Sequence, residues 1–403
     1  MSGAQLEHTE GTGEVEVTFV LPCLNEAETL EGCIDAVQRC IQANHLSAEI
    51  IVADNGSTDG SPEIAGRLGA RVVSVAERGY GAALMGGIEA ASGRFVVMGD
   101  ADLSYDFAES MPFVEKLREG CDLVMGTRLK GSIDPGSMPW LHRWVGNPLL
   151  SWIGRTLFGS RVSDFHCGLR AIRKSAYQAM GTRTTGMEFA SELVVKASLQ
   201  DMRIEEVPIA FHRDGRPRGP HLRTWRDGWR HLRFLLTLSP RWTLGVPGLV
   251  LILIGAALMG AVWTGPASVR YHTMVAASLL IVVGYQALTT AIAARIYTLM
   301  EELGPPAPWL SRSFRYLRLE FGLAAGAVAT LVGVVLLGSV IWRWLVAGLG
   351  ALEPSQSLPP MILGCTLVAL GIQTVLMSFV YSMMGIQRRR ESGLHGRGEN
   401  GAG

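Results

Sequence analysis

The chain has 403 residues and carries 36 Lys and Arg against 36 Asp and Glu, a formal net charge of zero. That balance excludes the global basic field on which nucleic-acid binding draws, and the length suggests two or three domains. Apolar residues are unevenly spread: the chain before about residue 240 reads as soluble and charged, and the remainder holds long apolar runs. The six cysteines (Cys23, Cys33, Cys40, Cys121, Cys167 and Cys365) show no paired metal spacing and no C-x-x-C, so they fit reduced thiols facing a cytosol. None of the nine histidines forms an H-x₃-H pair. Met1 to Glu14 is polar and Gly-rich without an apolar h-region, which reads as a disordered tail rather than a signal peptide.

In chain order, Val15 to Leu24 is a β-rich run, and Leu30, Ile34, Val37 and Ile41 then recur at helical spacing. Ala48 to Ala53 is a second strand, closed by the turn formers Asp54-Asn55-Gly56-Ser57-Thr58-Asp59-Gly60. A helix to about Leu68, a strand Arg71 to Ala76, a helix Tyr80 to Ala91 and a strand Arg94 to Met98 follow. A helix leads to Gly120, and Asp122 to Gly126 is a strand ending at Thr127-Arg128. Leu141 to Phe158 is apolar and Trp-rich but interrupted by Arg143, Asn147, Pro148 and Arg155, which suits an interfacial or cleft-covering helix. Ser163 to Lys174 reads as turn then strand, Glu188 to Leu199 as helix and Arg203 to Phe211 as strand. Strands alternating with helices predict an α/β, mostly parallel, doubly wound sheet.

Leu222, Trp225, Trp229, Leu232 and Leu236 share a helical face beside a stripe of Arg223, Arg226, Arg230 and Arg233, a pattern that suits a helix lying in a membrane interface. Four runs then reach membrane length: Thr243–Trp263, Thr273–Tyr297, Phe321–Leu345 and Pro360–Met384. Arginines precede the first, lie between the second and third (Arg312, Arg315, Arg318) and follow the fourth (Arg388, Arg389, Arg390). The other two connections are almost uncharged, so the positive-inside rule puts both termini in the cytoplasm.

The chemistry gathers at strand ends. Phe95-Val96-Val97-Met98 runs into Gly99-Asp100-Ala101-Asp102, a buried strand with two carboxylates at its carboxyl end. Two such carboxylates repel each other unless a cation sits between them, and hard oxygen ligands suit Mg²⁺ or Mn²⁺ bound jointly with substrate phosphates. The Pro22-to-Glu26 loop and Asp54 also end parallel strands, so they converge on the same crevice. The combination predicts a nucleotide site with a metal on its diphosphate. No G-x-x-x-x-G-K-[ST] is present, and Gly79-Tyr80-Gly81 is at most a place for close backbone approach.

Leu21-Pro22-Cys23-Leu24-Asn25-Glu26, the Asp54-to-Gly60 turn and Asp100-Ala101-Asp102 together resemble the signatures of inverting family 2 glycosyltransferases with a GT-A fold. Thr127-Arg128, Leu141-His142-Arg143 and Asp164-Phe165-His166-Cys167-Gly168-Leu169-Arg170 resemble the acceptor side of the polyprenyl- or dolichyl-phosphate sugar synthases. The resemblance covers about residues 15 to 240. It implies that Pro22, Asn25, Glu26 and Asp54 hold the nucleoside, that Asp100 and Asp102 work with the metal, and that Arg128 and Arg143 bind the acceptor phosphate. Asn147 stands where mannose synthases often have Ser, and Arg213 is the candidate diphosphate contact in the His212–Arg218 loop. Asp164 is placed to orient the sugar or the acceptor, or to act as base. Arg128, Asp102 and Asp164 are thus the candidate catalytic set.

The resemblance implies transfer of a hexose, glucose from a UDP-sugar first, to a polyprenyl phosphate on the cytoplasmic face of the cell membrane. GDP-mannose-dependent transfer, polysaccharide formation and a non-catalytic membrane scaffold stand as alternatives; a Gln-x-x-Arg-Trp polymer-synthase signature is missing between Asp164 and the spans. Homo-oligomerisation stays open. The implied organisation is a tail (1–14), a GT-A domain (15–220), an interfacial amphipathic helix (221–240), an all-α domain of four transmembrane helices (241–385) and a basic, Gly-rich cytoplasmic tail (386–403). The predicted orientation is testable by labelling sealed cells from outside, with the chain's own cysteines replaced. A cysteine at Ser268 should react with a membrane-impermeant maleimide and one at Ala307 should not; the reverse pattern would contradict it.

Overall fold

A computed structural model describes residues 14–216, 224–262, 267–300 and 319–395. The expected N-terminal tail, Leu222 and Arg223, the Arg312–Arg318 connection and the end of the C-terminal tail lie outside the described residues. The chain divides into two units, with the boundary between Leu235 and Leu236.

The first unit is built on a seven-stranded sheet of order β3-β2-β1-β4-β6-β5-β7. Its strands are β1 (Val17–Cys23), β2 (Ala48–Asp54), β3 (Arg71–Ser74), β4 (Phe95–Met98), β5 (Leu123–Ile133), β6 (Arg170–Arg173) and β7 (Ile204–Phe211). The helices of this unit are α1 (Leu30–Ala43), α2 (Ser61–Arg67), α3 (Tyr80–Ala90), α4 (Met111–Arg118), α5 (Asn147–Phe158), α6 (Lys174–Met180) and α7 (Phe189–Leu199). Then comes α8 (Thr224–Thr237), within which the boundary falls. Strands β1 and β4 are apolar on both faces because helices cover both. Val17, Phe19 and Leu21 join a core with Leu30, Ile34 and Val37 of α1 and with Phe107, Phe113 and Leu117. Full burial of each such side chain contributes about 1.5–3 kcal/mol.

The pairs β1–β2, β1–β4, β2–β3 and β5–β7 are parallel, as the βα alternation predicts. One strand departs from it. β6 runs antiparallel to both β4 and β5, with Arg170 opposite Met98 on one side and Met125 on the other. A reversed strand begins where its parallel neighbours end, so the segment before β6 is delivered to the carboxyl ends of β4 and β5. β5 also runs on past Arg128 to Ile133, pairing again with β7 after a register shift between Thr127 and Ser132. Arg128 is therefore an interior residue of an irregular strand, not the first residue after one.

The second unit is helical: α9 (Val246–Val262), α10 (Ala267–Met300), α11 (Leu319–Val346) and α12 (Pro354–His395). Four stretches are long and apolar enough to cross a membrane: Arg241–Val262, Tyr271–Met300, Leu319–Val346 and Pro354–Met384. Leu253, Leu279, Leu331 and Leu376 are 59–64% exposed, an apolar surface suited to lipid. Lipid removes most of the hydrophobic gain between helices, so close packing and hydroxyl pairs must hold them. Gly326 and Gly333 of α11 lie against the backbone oxygens of Gly371 and Gly364 of α12. Ser278 Oγ lies 2.6 Å from Thr366 Oγ1 and Tyr285 Oη 2.6 Å from Thr374 Oγ1, joining α10 to α12.

A Cβ on Gly333 would lie 2.7 Å from the Gly364 oxygen, whereas one on Gly338 would meet nothing within 4 Å. Gly333→Ala is predicted to destabilise by about 1–3 kcal/mol. Gly338→Ala should be neutral or slightly stabilising, because Ala is the better helix former. Thermal unfolding of both variants in detergent checks the contrast.

Candidate active site

The carboxyl ends of β1, β2 and β4 lie side by side, and the loops that follow them are tied together. Asn25 has φ of 58°, a left-handed conformation that Asn tolerates better than most residues. Its Oδ1 accepts from Thr58 N at 2.8 Å, and its own N–H donates to Ser57 Oγ at 2.8 Å. Glu26 N–H donates to Ser61 Oγ at 2.9 Å and Ala27 N–H to Asp59 Oδ2 at 3.0 Å. Asp54 accepts from Gly56 N at 3.0 Å and from Ser57 N at 3.1 Å, which folds the turn back over the end of β2. The Asp54 oxygens keep further lone pairs for a ligand. Pro22 sits within β1, opposite Ala53.

Asp100 and Asp102 follow β4. Asp100 Oδ1 accepts from Tyr80 Oη at 2.8 Å. Burial, then the charge of Asp102, pushes the Asp100 carboxyl up to about 6. Its Oδ2 faces Gly168, where a Cβ would come within 2.5 Å of that oxygen. Only glycine lets the loop before β6 pass so close. Asp102 Oδ1 accepts from Ser104 N at 3.0 Å and also from Ser104 Oγ. Its Oδ2 accepts from Arg216 Nη2 at 2.7 Å, while Arg216 Nη1 donates to Glu26 Oε1 at 3.0 Å. No group of three or more His, Cys, Asp or Glu that could hold a metal occurs among the described residues. Asp100 and Asp102 would supply the one or two protein carboxylates that Mg²⁺ typically takes when substrate phosphates complete its shell. The repulsion felt by Asp100 and the cation already resting on Asp102 both fit that use.

Arg128 and Asp164 form one unit. Arg128 Nε donates to Asp164 Oδ2 and Nη2 to Oδ1, both at 2.8 Å, with the side chains 9% and 0% exposed. Asp164 also accepts from the N–H groups of Arg128 and His166. Burial opposes its charge, but Arg128 holds the carboxyl below the usual carboxylate range. This pair reaches the acidic end through Tyr105. The Tyr105 hydroxyl accepts from Gly168 N at 2.8 Å, and its ring packs edge-on to Phe211 at 5.3 Å. The Arg128 guanidinium lies over the same Phe211 ring. Arg170 wraps the loop, donating to Cys167 O at 2.7 Å, Ala190 O at 2.6 Å and Phe165 O at 3.1 Å.

The remaining residues make other contacts. Arg143 is half-buried in the turn His142–Gly146, its guanidinium 5.3 Å from the Trp144 ring. Asn147 opens α5 and donates to Met138 Sδ at 3.6 Å. Arg213 is exposed, and it is Arg216, three residues on, that meets the acids. Nothing local in the sequence separates those two arginines; Arg216 lies 114 residues from Asp102. Tyr80, Tyr105, Gly168 and Arg170 were equally hidden as contributors, although three of them sit inside or beside the motifs singled out. On α8, Asp227, His231 and Leu235 are buried while Trp225 and Trp229 are 81% and 59% exposed.

The sheet is thus mostly parallel with acids at the carboxyl ends of β1, β2 and β4, and membrane-length helices follow it in the chain. Residues 18–181 match Glycosyl transferase family 2, and residues 292–385 match the Glycosyltransferase family 2 C-terminal transmembrane region. The chain is 35% identical over 375 residues to the low-salt glycan biosynthesis hexosyltransferase Agl6 of Haloferax volcanii, covering 92% of this chain and 89% of that protein. It is 29% identical over 197 residues to the dolichyl-phosphate hexose transferase of the same organism, covering 49% of this chain and 82% of that protein. Among solved structures, glucosyl-3-phosphoglycerate synthase from Mycobacterium tuberculosis, in complex with Mn²⁺, UDP and glucosyl-3-phosphoglycerate, aligns over 55% of this chain and 78% of that one. Its TM-score is 0.42 and its identity 24%. The chain belongs to glycosyltransferase family 2 and is a membrane protein.

Removing the Asp164 charge would leave Arg128 buried and uncompensated. Asp164→Asn is predicted to cost about 3–5 kcal/mol near neutral pH. The sign with pH follows from the lowered carboxyl. Its contribution is complete above the unfolded value of about 3.9 and is lost as pH falls below that toward the folded value. Melting of both proteins from pH 7 to 3 should show the gap between them narrowing on the acid side.

Proposed function

We propose that the protein transfers a hexose from a nucleotide sugar to a polyprenyl or dolichyl phosphate, with inversion at the sugar, and that UDP-glucose is its donor. The observation that carries this reading is the convergence of Glu26, Asp54, Asp100 and Asp102 on one crevice in a chain that also holds four membrane-length helices. The Haloferax volcanii relatives, a hexosyltransferase and a dolichyl-phosphate hexose transferase, support hexose as the sugar and dolichyl phosphate as the acceptor.

In this reading Pro22, Asn25, Glu26 and Asp54 hold the nucleoside, and Asp100 and Asp102 hold Mg²⁺ or Mn²⁺ on the donor diphosphate. The metal supplies charge stabilisation for the departing nucleoside diphosphate. The nucleophile is an oxygen of the lipid monophosphate, whose second pKa is about 6, so it needs no strong base near neutral pH. It attacks the anomeric carbon as the bond to the diphosphate breaks. Arg128 and Arg143 position that phosphate, since a planar guanidinium matches phosphate oxygens in pairs. Asp164, with no exposed surface, holds the plane of Arg128 rather than meeting the sugar. Asn147 and Arg213 are assigned as secondary acceptor and diphosphate contacts. The exposed Trp225 and Trp229 support an interfacial position for α8, and the arginine asymmetry of the connections supports cytoplasmic termini.

The test is purified full-length protein in detergent with polyprenyl phosphate, a panel of UDP- and GDP-sugars, and Mg²⁺ or Mn²⁺. Product is expected with UDP-glucose and a divalent cation, and not with chelator. Asp102→Asn should lower transfer about 100-fold or more, as loss of a charge-stabilising group in a closed site does. Full activity of that variant in chelator would remove the metal role. Arg143→Ala should raise the half-saturating lipid-phosphate concentration by roughly 10- to 150-fold, the range of a charge-assisted contact, and leave nucleotide binding unchanged. Arg143→Lys should recover part of the loss.

A further inference from the structure

Arg216 bridges Glu26 and Asp102 at the acidic end of the sheet, and backbone bonds hold its segment there. His212 N–H donates to Ser104 O at 3.0 Å and Gly215 N–H to Asp102 O at 2.9 Å, so the segment 212–216 is laid along residues 102–104. Leu103, between the two acceptors, has φ of 64°, a left-handed backbone unusual for Leu. Asp214 orients the guanidinium: its Oδ1 accepts from Arg216 Nε at 2.9 Å and from Arg216 N–H at 2.9 Å. The Nη2 atom lies 2.7 Å from both Asp102 Oδ2 and Asp214 Oδ2, and Nη1 lies 3.0 Å from Glu26 Oε1. The side chains of Arg216, Glu26 and Asp102 are 10%, 7% and 12% exposed, so solvent screens these contacts little.

We infer that Arg216 is an internal counter-cation that competes with the divalent metal for Asp102, so that the metal enters together with the nucleoside diphosphate rather than ahead of it. Ser104 already occupies Asp102 Oδ1 and the Arg216 guanidinium Oδ2, so a divalent cation on Asp102 would meet the guanidinium, and their like charges oppose sharing the carboxylate. With the guanidinium in place, a metal ion alone must displace a bridge between two carboxylates. A diphosphate changes the balance. It brings oxygens that complete the metal shell and offers Arg216 a new anionic partner beside the old one. The consequence is an enzyme that resists free divalent cations and binds metal and donor as a coupled pair. The inference rests on the metal reading given above.

The probe is Mn²⁺ alone, titrated into full-length protein in detergent without nucleotide and followed by loss of the free-ion electron paramagnetic resonance signal. Wild type should bind weakly. Arg216→Gln should bind about 10-fold or more tightly, the range of one lost charge-assisted contact. Arg216→Lys, which keeps the charge, should stay near wild type. Asp214→Asn, which leaves Arg216 present but less firmly held, should move in the same direction as Arg216→Gln by a smaller factor, and it covers the case in which Arg216→Gln fails to fold. Adding UDP should tighten Mn²⁺ binding more in wild type than in Arg216→Gln. A merely structural Arg216 would weaken binding or leave it unchanged when replaced, and either result overturns the inference while the metal reading stands. If Mn²⁺ binds to none of these proteins even with UDP present, the metal reading fails and this inference fails with it.

Discussion

Three carboxylates at the ends of two adjacent parallel strands set the terms for the rest of this site. Glu26 follows β1, and Asp100 and Asp102 follow β4. Burial and the charge of Asp102 push the Asp100 carboxyl up to about 6, which favours cations beside these acids. The fold answers with Tyr80 on Asp100, Ser104 on the inner oxygen of Asp102 and Arg216 across Asp102 and Glu26. Those contacts reduce the repulsion without removing it, as the raised Asp100 carboxyl records. A site left in that condition is prepared for a stronger cation brought by a phosphate ligand.

The reversed strand β6 supplies the second half of the site. Its direction brings Gly168 against Asp100 and places Asp164 beside Arg128, so that one loop reaches both the acidic end and the Arg128–Asp164 ion pair. Arg170 then fixes the loop by three bonds to backbone oxygens. Such a loop has little freedom to follow a substrate. The segment 212–216 is held differently, by two backbone bonds to residues 102–104 and by ion pairs around Arg216. It is the part of the site whose contacts a charged ligand is able to replace.

The strands β1, β2 and β4, the acids at their ends and the four apolar helices were legible in the sequence because each is a local pattern. An apolar β-branched run followed by Asp-x-Asp needs no distant partner to be read, and neither does a membrane-length run of Leu, Val and Gly. The direction of β6 was not legible: four residues, Arg170 to Arg173, carry no signal of which way they run. Arg128 and Asp164 were each visible, but separately, as a phosphate contact and as a base or orienting group; their separation of 36 positions conceals that they form a buried pair. The sequence points to Arg213 and is silent on Arg216, whose place depends on backbone pairing between residues 212–216 and 102–104.

The central claim is that Asp100 and Asp102 take a divalent cation only as part of a donor complex. The most direct measurement is anomalous diffraction at the manganese edge from crystals of the full-length protein grown with Mn²⁺ and UDP. The account predicts one strong peak at roughly 2.0–2.2 Å from an oxygen of Asp100 or Asp102 and from the diphosphate, close to the range for a small hard cation. It also predicts that the Arg216 guanidinium has left Asp102. UDP bound in the crevice with no peak at these acids, or a peak with Arg216 still bridging Asp102 and Glu26, would contradict it.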